Sequence, residues 1–548
     1  MPGDVSWPSF NEWELLNQTV GGRLISAQPL AQPCYGTTRD AVACSKVQEE
    51  WITPEPYFRD PFAVMSPYYL NDSCTPFIKN SSSSGQCTLG NSPSYAIAVS
   101  STEDIQAGIN FAREKNIRLI IKNTGHDYLG RSNGMGSLSL WTHNLKTMSF
   151  SNYSSPLYVG PAVKLGAGVQ AYEVYGAANK QGLRVIGGLC PTVGLAGGYV
   201  SGGGHGLLMG KYGMAADNTL EFEVVTSDGE YKIASPTQNA DLFWAMNGGG
   251  GGAYAIVVSQ TTRAHRDGAV AGGYLSFNNT NDEVFWAAMT SWQEQHFALQ
   301  AVQDLTTEWN MNNGQLTILL TLPDGQTDTI NTILNPFVTR LQALNITYSN
   351  FTSYEPDFLA HHLRYTPGAP YGTHTTNDVV GSRFIPGSAV KDHLPDLIEK
   401  MRSIASLPNA DFQINGIVGN VSHARVGNTP STNAVFPSWR DSLYALVLDV
   451  YWDPVSPLSE LQVLQDQMLD NQNMFKDLSP GSGSYVNEAV ATNPEWKEDY
   501  FGINYGRLLE VKRKYDPTHL LYGPASVGSD FWRVESDGRL CVANQTMF

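Results

Sequence analysis

Glycine is concentrated in two stretches of the first half of the chain, and these constrain the backbone more than any other feature of the sequence. The first runs from Gly187 to Asn218, and the second is the unbroken run from Gly248 to Gly252. Each glycine costs conformational entropy on folding, so a chain tolerates many of them where its backbone must pass close to another group. The first stretch therefore favours a backbone shaped around a flat or charged ligand. The second can hold a nucleotide, or it can be a tight turn that leads into the apolar residues 253–258.

A histidine lies at the centre of a third glycine-containing loop. Residues 122–132 read Lys-Asn-Thr-Gly-His-Asp-Tyr-Leu-Gly-Arg-Ser and directly follow residues 118–121, which we interpret as a buried strand. Glycine and small polar residues let backbone N–H groups turn toward an anion, as a phosphate-binding loop requires. His126 would then lie beside the molecule that carries the phosphate. The alternative is a loop histidine whose hydrogen bonds are satisfied within the protein.

Cys190 stands between turn-forming residues in the first glycine-rich stretch. Pro191 follows it directly and restricts it to an extended conformation. A lone cysteine is most often a small buried core residue, but the flanking residues here are typical of turns and not of a core strand. The sequence therefore leaves two interpretations open, a structural thiol and a reactive thiol at a binding site.

Other common cofactor and catalytic motifs are absent or incomplete. Residues 166–171 (Gly-Ala-Gly-Val-Gln-Ala) fit the dinucleotide-binding fingerprint, but the acidic residue expected about 20 positions later is missing. The 11 histidines and 6 cysteines show no zinc-binding spacing. Residues 130–134 (Gly-Arg-Ser-Asn-Gly) match the letters of the Gly-x-Ser-x-Gly motif but do not stand between a predicted strand and a predicted helix, as a nucleophile elbow requires, and there is no Walker loop. We therefore expect neither a Rossmann dinucleotide site nor a metal site.

Length and charge limit the number of domains and the classes of partner. The chain has 548 residues, of which 42% are hydrophobic and 16% charged, which is enough for two large domains with cores of their own. Its formal net charge of −17 disfavours nucleic acid and anionic membrane surfaces as partners. No segment has the roughly 18–20 consecutive apolar residues of a membrane-spanning helix. We expect no nucleic-acid binding and no membrane association.

The cysteines and glycosylation motifs favour the secretory route. Cys34 and Cys44 are 10 residues apart, and Cys74 and Cys87 are 13 apart, spacings that suit two small disulfide loops. Cys541 is then the odd cysteine, either a free thiol or one whose partner lay further upstream. Asn-x-Ser/Thr motifs predict N-linked glycans at Asn17, Asn71, Asn80, Asn152, Asn278, Asn345, Asn350, Asn420 and Asn544. We therefore expect a secreted protein whose signal peptide was removed and replaced by a start methionine.

We divide the chain into four stretches. Residues 1–90 form a disulfide-stapled lead-in, and residues 91–267 alternate β-rich runs with helices, beginning with a βαβ unit. Residues 268–485 read as a substrate-binding domain with a sheet and covering helices, and residues 486–548 as a C-terminal segment. The predicted strands are 96–100, 118–121, 272–276, 315–321 and 443–452, and the predicted helices are 103–115, 458–475 and 502–515.

Taken together, these motifs resemble the FAD-linked oxidases of the vanillyl-alcohol oxidase superfamily, and within it the berberine-bridge-enzyme-like branch. The loop around His126 is similar to that of the fungal isoamyl-alcohol-oxidase-like clade, and residues 188–194 (Gly-Leu-Cys-Pro-Thr-Val-Gly) resemble the second flavin attachment site of the branch. Residues 483–488 and 500–505 resemble its C-terminal return to the flavin domain. The resemblance implies an α+β fold: a two-lobed PCMH-type FAD-binding domain, with two α/β subdomains around FAD, and a substrate domain with an antiparallel sheet covered by helices.

The resemblance also assigns residues to the cofactor. It implies that FAD is linked covalently, through His126 to the 8α carbon and through Cys190 to C6 of the flavin. The reactive forms are a neutral imidazole and a thiolate. The other predicted cofactor-binding residues are Asn123, Thr124, Gly125, Asp127, Arg131, Ser132, Gly188, Thr192, Val193, Gly194, Gly198, Gly202, Gly203, His205, Gly206, Asn218, Ile256 and Asn504.

The implied activity is that of an oxidase acting on a small molecule. A hydride passes from a substrate alcohol or a similar C–H donor to FAD while a base takes the O–H proton, and O2 then reoxidises the cofactor and gives H2O2. The alternatives are a carbohydrate oxidase, a flavin-scaffolded cyclase or tailoring enzyme of secondary metabolism, and a flavin-binding protein without activity. We expect a monomer.

The catalytic base is the least defined part of the predicted site. In the predicted strand 443–452, the alternation of side chains puts residues 447, 449 and 451 on one face, so Asp449 and Tyr451 can point at the flavin together. The alternative is an Asp449 that faces outward or forms a salt bridge. Tyr485 and Tyr505 are further candidates for acid–base residues.

Overall fold

The computed structural model describes residues 1–37, 39–66, 69, 71, 73–77, 87–312, 314–366, 368, 371–372, 377–407 and 411–543. The predicted glycosylation sites Asn80 and Asn544 lie outside these ranges. Among the described residues, no helix has both the length and the apolar character needed to cross a bilayer.

The N-terminal lead-in is held by the two predicted disulfides. Cys34 is bonded to Cys44, and Cys74 to Cys87, which confirms the pairing by proximity. Cys541 is a free thiol. The elements of this segment are α1 (Phe10–Thr19), β1 (Leu24–Ser26), α2 (Ala41–Glu50) and α3 (Glu55–Arg59).

A buried lysine ties the lead-in to the loop around His126. The Lys122 ammonium donates hydrogen bonds to the backbone oxygens of Tyr57 at 2.9 Å and Asp60 at 2.7 Å. Burial lowers the pKa of Lys122 to about 7. Because a buried ammonium needs such partners, the end of α3 and the start of the His126 loop are fixed against each other.

The first lobe of the predicted FAD-binding region is a mainly parallel sheet. Its elements are β2 (Tyr95–Ala98), α4 (Thr102–Lys115), β3 (Leu119–Lys122) and β4 (Leu138–Trp141). The strand order is β1-β2-β4-β3, in which β2, β4 and β3 are parallel and β1 is antiparallel. The predicted βαβ unit is present, with Ile105, Ile109 and Ala112 of its helix buried, but β4 lies between its two strands.

The second lobe is built on a five-stranded antiparallel sheet with the order β5-β6-β10-β8-β9. Its elements are β5 (Met148–Ser154), β6 (Val159–Gly166), α5 (Ala171–Asn179), β7 (Leu183–Arg184), α6 (Met209–Tyr212), α7 (Ala215–Asn218), β8 (Thr219–Val225), β9 (Tyr231–Ala234), α8 (Ala240–Met246), β10 (Ile256–Arg263) and β11 (His265–Arg266). The first glycine-rich stretch connects β7 to β8 and contains α6 and α7, and the second connects α8 to β10.

Close backbone packing accounts for the incomplete dinucleotide motif. A Cβ atom on Gly166 would lie 2.3 Å from the carbonyl oxygen of Leu145, and one on Gly168 would lie 2.0 Å from that of His143. Both glycines are therefore required where the end of β6 meets a neighbouring backbone.

A seven-stranded antiparallel sheet forms the centre of the second half of the chain, with the order β15-β12-β14-β13-β17-β18-β16. The elements are β12 (Val270–Asn278), α9 (Asp282–Ala301), β13 (Thr306–Asn312), β14 (Gln315–Pro323), α10 (Thr327–Ala343), β15 (Tyr348–Glu355), α11 (Phe358–Tyr365), β16 (Asp378–Ile385), α12 (Gly387–Asp392), α13 (Leu394–Ala405), β17 (Asp411–Gly419), α14 (His423–Val426), α15 (Ser438–Asp441), β18 (Tyr444–Tyr451) and α16 (Leu458–Asn473).

The two faces of this sheet pack against different partners. Leu446 and Leu448 of β18 belong to the core that the sheet forms with its covering helices. Val447, on the opposite face, packs with Met209 and Met214 of the glycine-rich stretch. The helices thus cover one face, as the α+β prediction requires, and the other face meets the FAD-binding lobes.

The C-terminal segment packs on the FAD-binding lobes. It contains α17 (Trp496–Phe501), α18 (Tyr505–Tyr515), β19 (Trp532–Val534) and β20 (Leu540–Val542). The buried Lys512 of α18 donates hydrogen bonds of 2.7 Å to the carbonyl oxygens of Ala253 and Leu521. Leu521 in turn forms an isolated parallel bridge to Leu119 of β3.

A buried ion pair joins the glycine-rich stretch to the sheet domain and provides a test of the fold. Arg440 of α15 donates two hydrogen bonds, of 2.7 and 2.9 Å, to the carboxylate of Asp217 in α7, and both side chains are at most 4% exposed. Replacing Arg440 with Met leaves the Asp217 charge buried and unpaired, and we expect the free energy of unfolding to fall by about 3–5 kcal/mol. Equilibrium urea unfolding measures this loss.

Arg533→Met is the matched control because Arg533 forms an exposed ion pair with Glu535. Its effect is expected to stay below about 1 kcal/mol. Equal losses in the two variants would contradict a structural role for the buried pair.

Candidate functional site

A cavity of about 320 Å³ lies where the two FAD-binding lobes meet the C-terminal segment. Its wall includes the loop around His126, the first glycine-rich stretch, the glycine run at 250–252 and residues from 485–488. Residues 521–523, which follow the C-terminal helix α18, close the side next to β3. The three sequence motifs therefore meet at one site.

Fourteen of the predicted site residues line this cavity. They are Asn123, Thr124, Gly125, His126, Asp127, Arg131, Ser132, Gly188, Cys190, Val193, Gly194, Gly198, His205 and Tyr485.

His126 and Cys190 approach each other on the cavity wall, with Thr192 between them. The distance from His126 Nε2 to Cys190 Sγ is 3.9 Å. The Thr192 hydroxyl lies 2.8 Å from His126 Nε2 and 3.4 Å from Cys190 Sγ. Two nucleophilic side chains at this separation can reach neighbouring positions on the edge of a single aromatic ring.

The thiol of Cys190 is held in its protonated form. Burial raises the pKa of Cys190 above its usual value, and the hydrogen bond with Thr192 opposes part of this rise. Since the thiolate is the reacting species, a reaction of Cys190 requires that its proton be removed locally.

Glycine leaves open space in the wall for a ligand of large flat area. A Cβ atom on Gly198 would meet no protein atom within 4 Å, so it would project into free volume. One on Gly251 would lie 3.0 Å from the Cα atom of Gly198, which shows how closely the two glycine-rich stretches approach. Gly250 and Gly252 have φ values of 93° and 72°, a region that only glycine adopts readily.

Buried polar atoms without partners also line the cavity. Among the described residues, Asn123 Oδ1, Arg131 Nη1, Asn487 Oδ1 and Glu488 Oε2 have no hydrogen-bond partner. Unpaired buried polar groups are costly, so donors and acceptors of this kind indicate a polar ligand. The cationic Arg131, the amide groups and the glycine-lined space fit the phosphates, ribityl chain and ring system of FAD.

Several predicted cofactor-binding residues lie behind the wall and have structural contacts instead. A Cβ on Gly202 would lie 2.3 Å from Asn487 Nδ2, and one on Gly206 would lie 2.0 Å from the Gly187 oxygen. Gly203 has a φ of 123°, a backbone conformation that residues with a side chain rarely adopt. These glycines permit close packing of the stretch that carries Cys190 and His205.

Three other predicted residues also contribute to packing. Asn218 donates hydrogen bonds to the carbonyl oxygens of Tyr212 and Met214, both at 2.9 Å, and so closes the end of the glycine-rich stretch. Ile256 belongs to the core of the first lobe. Asn504 donates to the carbonyl oxygen of Ala434 at 3.2 Å.

A histidine–carboxylate pair also lies on the cavity wall. His205 Nε2 is 2.7 Å from Glu488 Oε1. Burial lowers the pKa of His205, but the Glu488 carboxylate outweighs burial and the pKa ends above its usual value. The pair is anchored from the sheet domain because the Ser382 hydroxyl donates to the carbonyl oxygen of Glu488 at 2.6 Å.

Asp449 lies on the face of β18 that packs toward the FAD-binding lobes, in the same alternation as Val447. It does not line the cavity itself. The Asn415 amide donates a hydrogen bond to Asp449 Oδ2. Burial, together with the nearby charge of Glu488, raises the pKa of Asp449 to about 7.

Two further buried acids surround Asp449 and the His205–Glu488 pair. Burial raises the pKa of Glu308 to about 7 and, together with the Asp449 charge, raises that of Asp378 well above its usual value. Within the described ranges, Glu308 Oε1 and Asp378 Oδ1 have no hydrogen-bond partner. The sheet face beside the cavity thus holds several carboxyl groups that retain protons near neutral pH.

The three tyrosines of the predicted acid–base set occupy different positions. Burial raises the pKa of Tyr485, whose hydroxyl accepts hydrogen bonds from Gly204 N and Asn487 Nδ2 at 3.1 and 2.9 Å. Tyr451 is half-buried at the end of β18. Tyr505 packs against Trp496 and lies away from the cavity wall.

Sequence reasoning did not single out several residues of this region. Asn487 and Glu488 belong to the C-terminal motif at residues 483–488. Their closeness in sequence to Tyr485, a predicted site residue, could have marked them as candidates. Asp378 and Glu308 belong to strands far apart in the chain, and no local pattern marks them. Tyr128, two residues after His126, also lines the cavity.

Comparisons with known proteins agree with this geometry. The family described as FAD binding domain matches residues 93–235, and the family described as berberine and berberine like matches residues 484–528. A VAO-type flavoprotein oxidase of Thermothelomyces thermophilus is 40% identical over 557 residues, covering 99% of this chain and 95% of the relative.

This chain belongs to the vanillyl-alcohol oxidase/berberine-bridge-enzyme-like family of FAD-linked oxidoreductases. A bifunctional decalin synthase of Penicillium decumbens is also 40% identical, with 99% of this chain and 95% of that protein covered. The crystal structure of a VAO-type flavoprotein from Myceliophthora thermophila C1 superposes with a TM-score of 0.92 at 39% identity, covering 99% of both chains. The predicted family and the two-lobed α+β fold are therefore confirmed.

More distant structures share the fold alone. The glucooligosaccharide oxidase of Acremonium strictum, described with a 6-S-cysteinyl, 8α-N1-histidyl FAD, has a TM-score of 0.66 at 22% identity, covering 80% of this chain and 92% of that one.

The raised pKa of Asp449 predicts a pH-dependent stability. The Asp449 carboxyl group has a pKa of about 7 in the folded protein and 3.8 in the unfolded chain, so it binds its proton more tightly in the folded state. The protonated carboxyl group therefore stabilises the fold fully below pH 3.8, and this stabilisation is lost as the pH rises through 7. Asp449→Asn removes this dependence. We expect it to raise the free energy of unfolding by about 1–3 kcal/mol at pH 8 and to change it little at pH 4.

Urea unfolding of the variant and the wild type at both pH values checks the difference. Asp466→Asn, on the exposed face of α16, is the control and should show no pH-dependent difference. An equal effect of Asp449→Asn at pH 4 and pH 8 would contradict the assignment.

The His205–Glu488 pair predicts a second titration. In Glu488→Gln the histidine stays buried but loses the carboxylate, so its pKa should fall below 6.5. Histidine-selective isotope labelling and NMR, with His205→Asn to assign the signal, measures the change. Glu495→Gln is the control, because the exposed Glu495 pairs with Lys476. An unchanged His205 titration in Glu488→Gln would rule out the coupling.

Proposed function

We propose that this protein is an FAD-dependent oxidase whose cofactor is attached twice, through His126 to the 8α carbon and through Cys190 to C6 of the flavin. The observation that carries the proposal is the 3.9 Å separation of His126 Nε2 and Cys190 Sγ on the wall of a glycine-lined cavity. The bicovalent linkage described for glucooligosaccharide oxidase supports it.

Residues around the cavity have distinct tasks in this proposal. Bound FAD supplies the hydride acceptor and the reaction with O2, which gives H2O2. Asp449 takes the hydroxyl proton of the substrate at its carboxylate, since a base with a pKa near 7 is suited to neutral pH. The Asn415 amide holds one of its oxygens and leaves the other to accept the proton.

The His205–Glu488 pair and Tyr485 hold protons near the cavity and fix the positions of the residues around them. The His205–Glu488 pair keeps a proton inside the cavity wall, and its position is fixed by Ser382. The Tyr485 hydroxyl keeps its proton, because burial raises its pKa, and acts as a hydrogen-bonding group between the glycine-rich stretch and Asn487.

The substrate is proposed to be a small molecule with an oxidisable alcohol or similar C–H bond. A tailoring reaction of secondary metabolism, including a ring closure on the flavin scaffold, is the second candidate, and the 40% identity to a bifunctional decalin synthase favours it. Oligosaccharide oxidation is a third. Oxygen uptake separates the first and third from a ring closure without net oxidation.

Secretion and glycosylation are also part of the proposal. Two disulfides are typical of proteins that fold in an oxidising compartment. Among the residues that the structure describes, five glycosylation motifs have an exposed asparagine and are accessible for modification, at Asn71, Asn152, Asn278, Asn345 and Asn350.

Acid precipitation tests the double attachment. We expect the yellow colour of wild-type protein to stay entirely in the pellet, because covalent flavin cannot dissociate on unfolding. After prolonged incubation with FAD in air, His126→Ala and Cys190→Ala should each keep colour in the pellet through the remaining link, and the double variant should release all flavin to the supernatant. The visible absorbance of both fractions gives the measurement.

Cys541→Ala is the matched control, because Cys541 is the other free cysteine and lies outside the cavity wall. It should behave like the wild type. Complete release of flavin from the wild-type protein would overturn the proposed attachment, and a well-folded protein without flavin in either fraction would contradict a role for the cavity in FAD binding.

A further inference from the structure

The hydroxyl group of Thr192 is placed between the two proposed attachment residues. It lies 2.8 Å from His126 Nε2 and 3.4 Å from Cys190 Sγ, whereas these two atoms are 3.9 Å from each other. Thr192 is completely buried and does not line the cavity. It therefore contacts the two nucleophiles from behind and leaves the cavity side of both open.

The backbone around Thr192 fixes this position. The Gln170 amide donates a hydrogen bond of 2.7 Å to the carbonyl oxygen of Thr192, and Ala171 N donates one of 3.0 Å to that of Val193. The turn is closed by Val193 N, which donates to the carbonyl oxygen of Cys190 at 3.3 Å. Since Gln170 and Thr192 are both fully buried, the hydroxyl has little freedom to move.

A hydroxyl group can donate one hydrogen bond and accept another at the same time. Its single proton can be donated to the His126 nitrogen while its oxygen accepts a hydrogen bond from the Cys190 thiol. This arrangement forms a continuous path for a proton from Sγ through Oγ1 to Nε2. Burial holds the thiol in its unreactive form, so such a path supplies what the reaction of Cys190 lacks.

We propose that Thr192 is a positioning residue for cofactor attachment, which carries the thiol proton of Cys190 to His126 Nε2 and turns Nδ1 of His126 toward the flavin. The inference rests on the proposed double attachment. Thr192 is needed mainly for the cysteinyl link, because the Cys190 thiol must lose its proton before it can react. The histidyl link depends on it less, because other contacts can also orient His126.

The overall reaction balances with O2 as the oxidant. Formation of the cysteinyl link breaks the S–H bond of Cys190 and the C–H bond at C6 and makes one C–S bond. The histidyl link at Nδ1 forms first and leaves Nε2 of the neutral imidazole without a proton, so the thiol proton then passes to His126 Nε2 and from there to solvent. The two electrons released, with two protons, reduce one O2 to H2O2. The histidyl link follows the same stoichiometry at the 8α carbon.

Counting thiols tests the inference without any substrate. Cys190 and Cys541 are the two cysteines outside the disulfides, so unfolded protein with a complete cysteinyl link should expose one reactive thiol and protein without it should expose two. The measurement is a thiol titration in denaturant, followed over time in air with added FAD. An anaerobic sample should retain both thiols throughout.

Thr192→Val removes the hydroxyl and keeps the shape of the side chain, and Thr192→Ser keeps the hydroxyl. We expect Thr192→Val to lose its second thiol at least about tenfold more slowly than the wild type, as expected when proton transfer is impaired. Its pellet should stay yellow through His126. Thr192→Ser should behave like the wild type, and peptide mapping at the time when the wild type is fully linked should show Cys190 joined to the flavin peptide of His126 in those two proteins and in only a minor fraction of Thr192→Val.

Equal rates in Thr192→Val and wild type would overturn the role of Thr192 and leave the double attachment intact. Two thiols and a colourless pellet in the wild type would instead overturn the proposed function. Should Thr192→Val fail to fold, as judged by its unfolding midpoint, Thr192→Ala replaces it in the comparison with Thr192→Ser. A normal rate in Thr192→Ala would count equally against the proposal.

Discussion

Close contact between glycine backbones is the constraint on which the rest of the structure depends. A Cβ on Gly206 would lie 2.0 Å from the carbonyl oxygen of Gly187, and one on Gly251 would lie 3.0 Å from Gly198. These contacts fold the first glycine-rich stretch back on itself and press it against the second. Cys190 and His205, which lie within the folded stretch, are thereby brought to the wall of one cavity. Larger residues at these points would separate the motifs that form the site.

Burial of carboxyl groups is the second feature that connects structure and chemistry. The sheet domain presents Asp449, Asp378 and Glu308 on or near the face that packs toward the FAD-binding lobes, and burial raises the pKa of each. A fold that only needed stability would have apolar residues there. Perturbed acids next to a cavity are typical of acid–base chemistry. We infer that the sheet domain supplies proton transfer and the lobes supply the cofactor site.

The sequence predicted local features well and long-range packing poorly. His126 and Cys190 stand in short motifs, and the apolar run at β18 gave both the strand and the face of Asp449. The insertion of β4 between β2 and β3 depends on pairing across the sheet, which no local pattern records. Gly202 and Gly206 were assigned to the cofactor because a glycine shows only that a side chain does not fit there. Only the folded structure shows which neighbour excludes a side chain, which is Asn487 for Gly202 and Gly187 for Gly206.

The central claim is that one flavin is bonded to both His126 and Cys190. The most direct measurement is a high-resolution crystal structure of the purified, yellow protein. We expect continuous electron density from Nδ1 of His126 to the 8α carbon and from Sγ of Cys190 to C6, with Thr192 Oγ1 in contact with both side chains. Density for a flavin that is separated from either residue would contradict it.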